Sequence, residues 1–220
     1  MTLFLFGGVA RVITLDEYLL NPCGTLSIPY WKNKVMKLPE SMKIVHHDNF
    51  NNNDLVEYED ERYFRLYHSL ENIDGSTPEG FCVVTAQPND IEQIVDIINQ
   101  SYSDLSTTVE QITGYTKTVV YEKDLWILIF DCKTNFPIGC GMADFDKEAR
   151  EGILEWIQVL PDYRGKGIGQ FIVNQLLSRM IEKASFATVS GKINNATNPE
   201  MLYRKCGFVG NDVWHILYAK

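Results

Sequence analysis

Apolar and polar positions follow two regimes along the chain. Up to about Pro78 no single period holds. The run at residues 3–13 is apolar except for Gly7, Gly8 and Arg11, and it reads as a buried strand. Pro22, Pro29 and Pro39 then break the pattern, and the polar, asparagine-rich residues 49–54 predict a loop. Over residues 60–73, Tyr63, Phe64, Leu66, Tyr67 and Leu70 stand at helix-compatible spacing. Asp74-Gly75-Ser76-Thr77-Pro78 punctuates the chain next and marks the best boundary. The expected organisation is an extension over residues 1–79, irregular with some strand and helix, and a domain over residues 80–220.

Beyond that boundary the pattern is regular. Residues 81–85 read as a short strand. Residues 88–101 read as a helix, with Ile91, Ile94, Val95 and Ile98 on one face and Asn89 or Asp90 near its start. A weaker helix is expected over 107–115. Three strands follow at 125–130, 138–145 and 153–160, joined by short turns as an antiparallel meander. Gly139 and Gly141 inside the second imply that something packs closely there. The clearest helix covers 167–184, with Ile168, Phe171, Ile172, Leu176, Met180 and Ile181 as its apolar stripe and Asn174, Ser178 and Glu182 facing outward. A strand at 187–193, a short helix at 199–205 and a strand at 213–219 complete the chain. The expected class is α/β: a mixed, mostly antiparallel sheet flanked by helices, with an N-terminal extension.

Composition narrows the function classes. At 45% hydrophobic and 22% charged, the chain is ordinary for a folded soluble protein. The net charge of -9 opposes binding to a phosphate backbone, so no nucleic-acid partner is expected; it mildly favours cationic amines, but reads more readily as serving solubility alone. No apolar run approaches the roughly 20 residues of a membrane span, and residues 3–13 lack the marks of a signal peptide. Cys23, Cys82, Cys132, Cys140 and Cys206 are scattered and odd in number, so neither a disulfide framework nor a zinc site is expected, and a cytoplasmic location follows. His46 and His47, as neighbours on a strand, would point to opposite faces, and His68 and His215 have no neighbour at ligand spacing; no metal site is expected. Cys206 reads as a packed thiol. Residues 21–34, with Tyr30 and Trp31, read as core of the extension more readily than as lining of an acceptor pocket.

Candidate chemistry concentrates at Pro161-Asp162-Tyr163-Arg164-Gly165-Lys166-Gly167-Ile168-Gly169. Three glycines in five residues allow positive φ and close approach of a ligand. The helix start that follows offers unpaired N–H groups and a positive dipole end to an anion, and Arg164 and Lys166 add charge. A Walker A loop would need Gly at position 160 and Ser or Thr at 167, where Leu160 and Gly167 stand. A dinucleotide-binding GxGxxG from Gly165 would need Gly at 170, where Gln170 stands, and it would open a βαβ unit rather than follow a meander. The pattern (Gln/Arg)-x-x-Gly-x-(Gly/Ala) is satisfied by Arg164, Gly167 and Gly169. With the preceding Leu154-Glu155-Trp156-Ile157-Gln158-Val159-Leu160 strand, it resembles the central motif of the GCN5-related N-acetyltransferases. Leu202-Tyr203-Arg204-Lys205-Cys206-Gly207-Phe208 resembles a second segment of that family. The resemblance covers residues 80–220 and leaves 1–79 unexplained.

The resemblance implies an N-acetyltransferase with acetyl-CoA as cosubstrate and an amine, small molecule or peptide, as acceptor. Its pyrophosphate would lie on the amides of Arg164, Gly165, Lys166, Gly167, Ile168, Gly169 and Gln170, and its pantetheine arm beside the backbone of Ile157, Gln158 and Val159. Tyr203 would be the general acid, or else would only pack against the cosubstrate. Glu155 would be the general base, or else a carboxylate that binds a cationic substrate or pairs with a basic neighbour; strand alternation places it with Ile153, Ile157 and Val159. The family often has Asn seven residues before its Tyr, where this chain has Ala196; Asn195 and Asn198 are the nearby candidates for pantetheine contact, and Asn198-Pro199 resembles a helix cap. A non-catalytic acyl-CoA sensor and a protein-interaction module are the competing readings. A monomer or homodimer without membrane association is expected.

Overall fold

The computed structural model describes residues 13–101, 106–195 and 197–220 in full and residues 4–6 and 9–11 by backbone alone. In chain order, strands β1 (Phe4–Phe6) and β2 (Val9–Arg11) lead into helices α1 (Leu15–Leu20), α2 (Pro22–Thr25) and α3 (Tyr30–Val35). Strand β3 (Met42–His46), two 3-10 turns (His47–Asn49 and Asn52–Val56) and β4 (Tyr58–His68) follow. Next come β5 (Phe81–Thr85), a 3-10 turn (Pro88–Asp90), α4 (Ile91–Ser101), α5 (Val109–Tyr115), β6 (Tyr121–Asp131), β7 (Phe136–Asp146) and β8 (Glu151–Val159). A 3-10 turn (Pro161–Tyr163), α6 (Ile168–Met180), β9 (Phe186–Lys192), α7 (Pro199–Lys205) and β10 (Val209–Ala219) end the chain. These elements form two compact units, one of Met1–His68, Thr188–Arg204 and Phe208–Lys220, the other of Ser69–Ala187 and Lys205–Gly207.

In the first unit the strand order is β3-β10-β4-β9. β10 runs antiparallel to both β3 and β4. The helix expected within residues 60–73 is therefore corrected to strand as far as His68. Tyr63, Phe64 and Tyr67 suit a pleated surface, and nine registered positions on β10, from Tyr58↔Ala219 to Tyr67↔Val209, override the local spacing. The single strand expected over 3–13 is instead two three-residue strands paired antiparallel, Phe4 with Arg11; residues 3, 7, 8 and 12 of that run lie outside the described residues. Helix α1 starts in a capping box between Thr14 and Glu17. Tyr18 and Tyr30 are buried with ring centroids 5.4 Å apart, which places the aromatic stretch in the core of this unit.

In the second unit the order is β8-β7-β6-β5, antiparallel at every step. The expected meander is present. Helix α4 presents Ile91, Ile94, Val95 and Ile98 to a cluster that includes Trp126, Leu128, Cys140, Met142 and Leu160. Thr108 caps α5 in a capping box with Gln111. Helix α6 buries Ile168, Phe171, Ile172, Leu176 and Met180 as expected, but Ile181 lies past its end and is exposed. Asn174, expected outside, is buried at 7% exposure. The glycines of β7 have the reason the sequence implied: a Cβ on Gly141 would stand 2.5 Å from Ile172 Cγ2, and one on Gly139 would stand 2.8 Å from the main-chain oxygen of Gln158 and 3.3 Å from Ile172 Cδ1. Helix α6 lies on the sheet at those two positions.

The cysteine expectation needs correction. Cys82 and Cys132 form a disulfide. Register explains it, because Cys82 sits opposite Phe130 and Phe81 opposite Asp131, which brings residue 132 to the same strand end. A sequence separation of 50 conceals that proximity. Cys23, Cys140 and Cys206 are buried and take no part in a disulfide. Among the described residues no helix is long and apolar enough to cross a membrane.

Candidate functional site

The glycine loop belongs to the second unit and joins β8 to α6. Gly165 and Gly167 have φ of 77° and 79°, the left-handed region that glycine occupies without strain. No atom lies within 4 Å of a Cβ placed on either, so open space adjoins the backbone there. Gly167 is the N-cap of α6 and offers no side-chain cap. Helix starts of this length normally satisfy some of their first amides through a capping side chain. Lys166 reaches over the Tyr163 ring, with Nζ 4.8 Å from its centroid. The chemistry of this donor set, uncapped amides at a positive dipole end beside an exposed lysine, suits phosphate or pyrophosphate.

Arg164 does something the sequence did not reveal. Its Nε donates to the carbonyl of Val159 at 3.1 Å, and a terminal nitrogen donates to the carbonyl of Ser101 at 2.8 Å. Its own amide donates to Pro161 O at 3.2 Å. The guanidinium thus fastens the loop to the end of β8 and the C-terminus of α4, and its amide is already used. Ser101 Oγ donates to Ile97 O at 2.7 Å and reaches Val159 O at 3.5 Å, so Ser101 belongs to the same fastening. The contact between Arg164 and Ser101 has no local signature, because Ser101 precedes Arg164 by 63 residues.

The alternation assumed for β8 is corrected by a bulge. Leu154 pairs with Ala143 and Trp156 with the adjacent Met142, so Glu155 is the extra residue. Cross-strand partners share a face, which puts Ile157 (opposite Gly141) and Val159 (opposite Gly139) with Leu154 and not with Ile153. Glu155 is half-buried at the bulge. Leu160 N–H donates to Ile138 O at 2.9 Å. By the two-residue alternation the main chain of Gln158 also turns toward β7, and that of Ile157 turns away from it. Gln158 itself is buried.

Tyr203, Asn195 and Asn198 belong to the first unit. Tyr203 is buried on α7, with ring centroids 5.8 Å from Phe208 and 6.2 Å from Phe64. The expected cap at Asn198-Pro199 is present, as Met201 N–H donates to Asn198 Oδ1 at 3.4 Å. Asn195 Oδ1 accepts from Thr197 N–H at 3.0 Å and from its hydroxyl at 2.8 Å. A cavity of about 280 Å³ adjoins this segment, lined by Phe64, Lys192, Asn194, Asn195, Asn198 and Glu200 among others. Ala196 lies outside the described residues. Cys206 is a packed thiol that burial pushes up to about 12, with Asp74 adding to the shift.

The histidines are arranged otherwise than expected. His46 Nε2 lies 3.2 Å from Asp212 Oδ1, and His215 does have a histidine neighbour, His47. Among the described residues no group of three or more His, Cys, Asp or Glu side chains is disposed to hold a metal ion.

Residues 117–210 match the family model of the acetyltransferase (GNAT) domain. No curated protein matches the chain. Among solved structures, a GCN5-related N-acetyltransferase from Sphaerobacter thermophilus aligns with TM-score 0.66 at 16% identity, over 80% of this chain and 58% of that one. A GCN5-related N-acetyltransferase from Kribbella flavida aligns with TM-score 0.54 at 13% identity, over 81% and 67%. A functionally unknown conserved protein from Staphylococcus epidermidis aligns with TM-score 0.59 at 10% identity, over 95% and 82%. This chain therefore spans less than two thirds of the Sphaerobacter protein. At these identities the similarity is one of fold.

Proposed function

We propose that this chain, which carries a GNAT acetyltransferase domain, transfers an acetyl group from acetyl-CoA to a primary amine. The observation that carries the reading is the start of α6: two left-handed glycines under open space, no side-chain cap, and Lys166 alongside. The amides from Gly165 to Gln170 would hold the pyrophosphate; the Arg164 amide is withdrawn from that set by its bond to Pro161. Ile157, whose main chain faces away from β7, would align the pantetheine arm and donate to the thioester oxygen as it becomes negative. A donor of that kind lowers the barrier by about 3 kcal/mol.

Acetyl-CoA supplies an activated thioester carbonyl. The amine attacks it only when neutral, so a base must take a proton. Glu155 is the proposed base, set at the bulge where a strand re-aims a side chain. Tyr203, by its place in Leu-Tyr-Arg-Lys-Cys-Gly-Phe, is the proposed proton donor to the leaving thiolate. The net charge of -9 favours a cationic acceptor in solution.

Thiol release from acetyl-CoA, measured with polyamines, amino acids, aminoglycosides and peptide N-termini, tests the reading. At least one amine class should raise release above the water background. Tight acetyl-CoA binding with no acceptor-dependent release across all four classes would support the non-catalytic sensor instead.

A further inference from the structure

His215 is buried in β10 at 2% exposure, in register with Val45 of β3 and Arg62 of β4. Its Nδ1 lies 2.9 and 3.0 Å from the two carboxylate oxygens of Asp60 on β4. An ionised carboxylate only accepts, so this nitrogen carries a proton and donates it. On the other side of the ring, Nε2 lies 3.0 Å from Nδ1 of His47, in the turn that follows β3. The two imidazoles are nearly parallel, with centroids 5.3 Å apart, and Phe50 stacks on His215 with centroids 3.8 Å apart. Asp60, His215 and His47 thus join β4, β10 and the His47–Asn49 turn.

One proton fits between the two facing ring nitrogens. With both rings neutral, His47 donates from Nδ1 to Nε2 of His215. A first added proton goes to the far nitrogen of His47 and leaves that bond intact. A second must go to Nε2 of His215, which sets N–H against N–H and one imidazolium beside another. The Asp60 carboxylate offsets only one of those two charges.

We propose that Asp60, His215 and His47 form an acid-sensitive latch that holds the His47–Asn49 turn and Phe50 on β10. The closed latch accommodates one added proton on the imidazole pair, and the open one accommodates two. The open form therefore binds more protons, and its share rises as the pH falls through the range in which imidazoles ordinarily titrate. Arg62, opposite His215 on β4, adds a cation beside the pair, and the other surrounding charges are engaged. Lys43 of β3 pairs with Asp54 of the second 3-10 turn, and Glu61 of β4 pairs with Lys192. His46 is held by Asp212 and Asp48, and Arg62 is exposed. Of these, His46 alone is an imidazole outside the latch, so it is the control.

Hydrogen exchange of peptides covering residues 43–50, measured on the full chain from pH 8 to pH 5 and corrected for intrinsic rates, tests the latch. In the unmodified protein, protection should fall at least tenfold across that range. His47→Gln keeps an N–H donor for His215 but cannot be protonated, so its protection should stay level, while His46→Gln should respond like the unmodified protein. Level protection in the unmodified protein, or the same fall in His47→Gln, overturns the proposal. Should His47→Gln already be open at pH 8, the imidazole 15N shifts of the unmodified protein decide. Protonation of both rings in step with the loss of protection supports the latch, and protonation of both with protection intact overturns it.

Discussion

The guanidinium of Arg164 donates to the carbonyl of Ser101 at 2.8 Å, and so ties the glycine loop to the C-terminus of α4. The residue that best marks the anion-binding motif in the sequence is thereby a structural buckle as well. Charge alone cannot do this, because Arg164 makes two differently directed donations, to Ser101 O and Val159 O. Arg164→Lys should therefore weaken acetyl-CoA binding nearly as much as Arg164→Ala, by about tenfold. Isothermal calorimetry on both variants checks this. Full affinity in the lysine variant would show that only the charge matters.

Gly141 lies under α6, where an added methyl would stand 2.5 Å from Ile172 and 3.1 Å from Leu176. Gly141→Ala should cost about 1–3 kcal/mol through overpacking, read as a lower urea midpoint at unchanged slope. A trimmed neighbour, Ile172→Val, should restore part of that loss in the double variant.

Most of the second unit was legible in the sequence. Its strands are local neighbours joined by short turns, and α4 and α6 carry apolar stripes that alternation and helical period reveal directly. The first unit was less so, because β4 is defined by partners 142 to 161 residues away on β10, and that pairing overrides the helix-like spacing of Tyr63 to Leu70. The bulge at Glu155 was invisible for the same reason: it exists only in the register between β7 and β8. The loop, its glycines and the Asn198 cap were readable because each is a local device. The Ser101 contact and the His47–His215 pair were not, since nothing in a linear pattern joins residues so far apart.

The disulfide between Cys82 and Cys132 links the end strand β5 to the chain just beyond β6, and both cysteines lie at exposed positions. It closes a loop with a sequence separation of 50, for which the chain-entropy argument gives a stabilisation of up to about 4 kcal/mol. Thermal melts with and without dithiothreitol should differ by several degrees, and Cys82→Ser should match the reduced protein. Identical melts would show that the bond does not constrain the chain in solution.

Tyr203 is packed between Phe64 and Phe208, so loss of its hydroxyl leaves the ring's apolar contacts in place. Tyr203→Phe should lower kcat by about a hundredfold or more while leaving the Kd for acetyl-CoA within about twofold. A parallel loss of affinity would assign the hydroxyl to binding, and unchanged kcat would remove it as the acid. Glu155→Gln should show the same split if Glu155 is the base.

The central claim is that the start of α6 holds the phosphates of acetyl-CoA, and calorimetric titration of the full chain with acetyl-CoA tests it most directly. Saturable binding is predicted for the unmodified protein, displaced by coenzyme A and abolished in Gly167→Glu, which places a side chain and a negative charge at the uncapped helix start. An absence of binding at millimolar acetyl-CoA, or undiminished binding in Gly167→Glu, would contradict it.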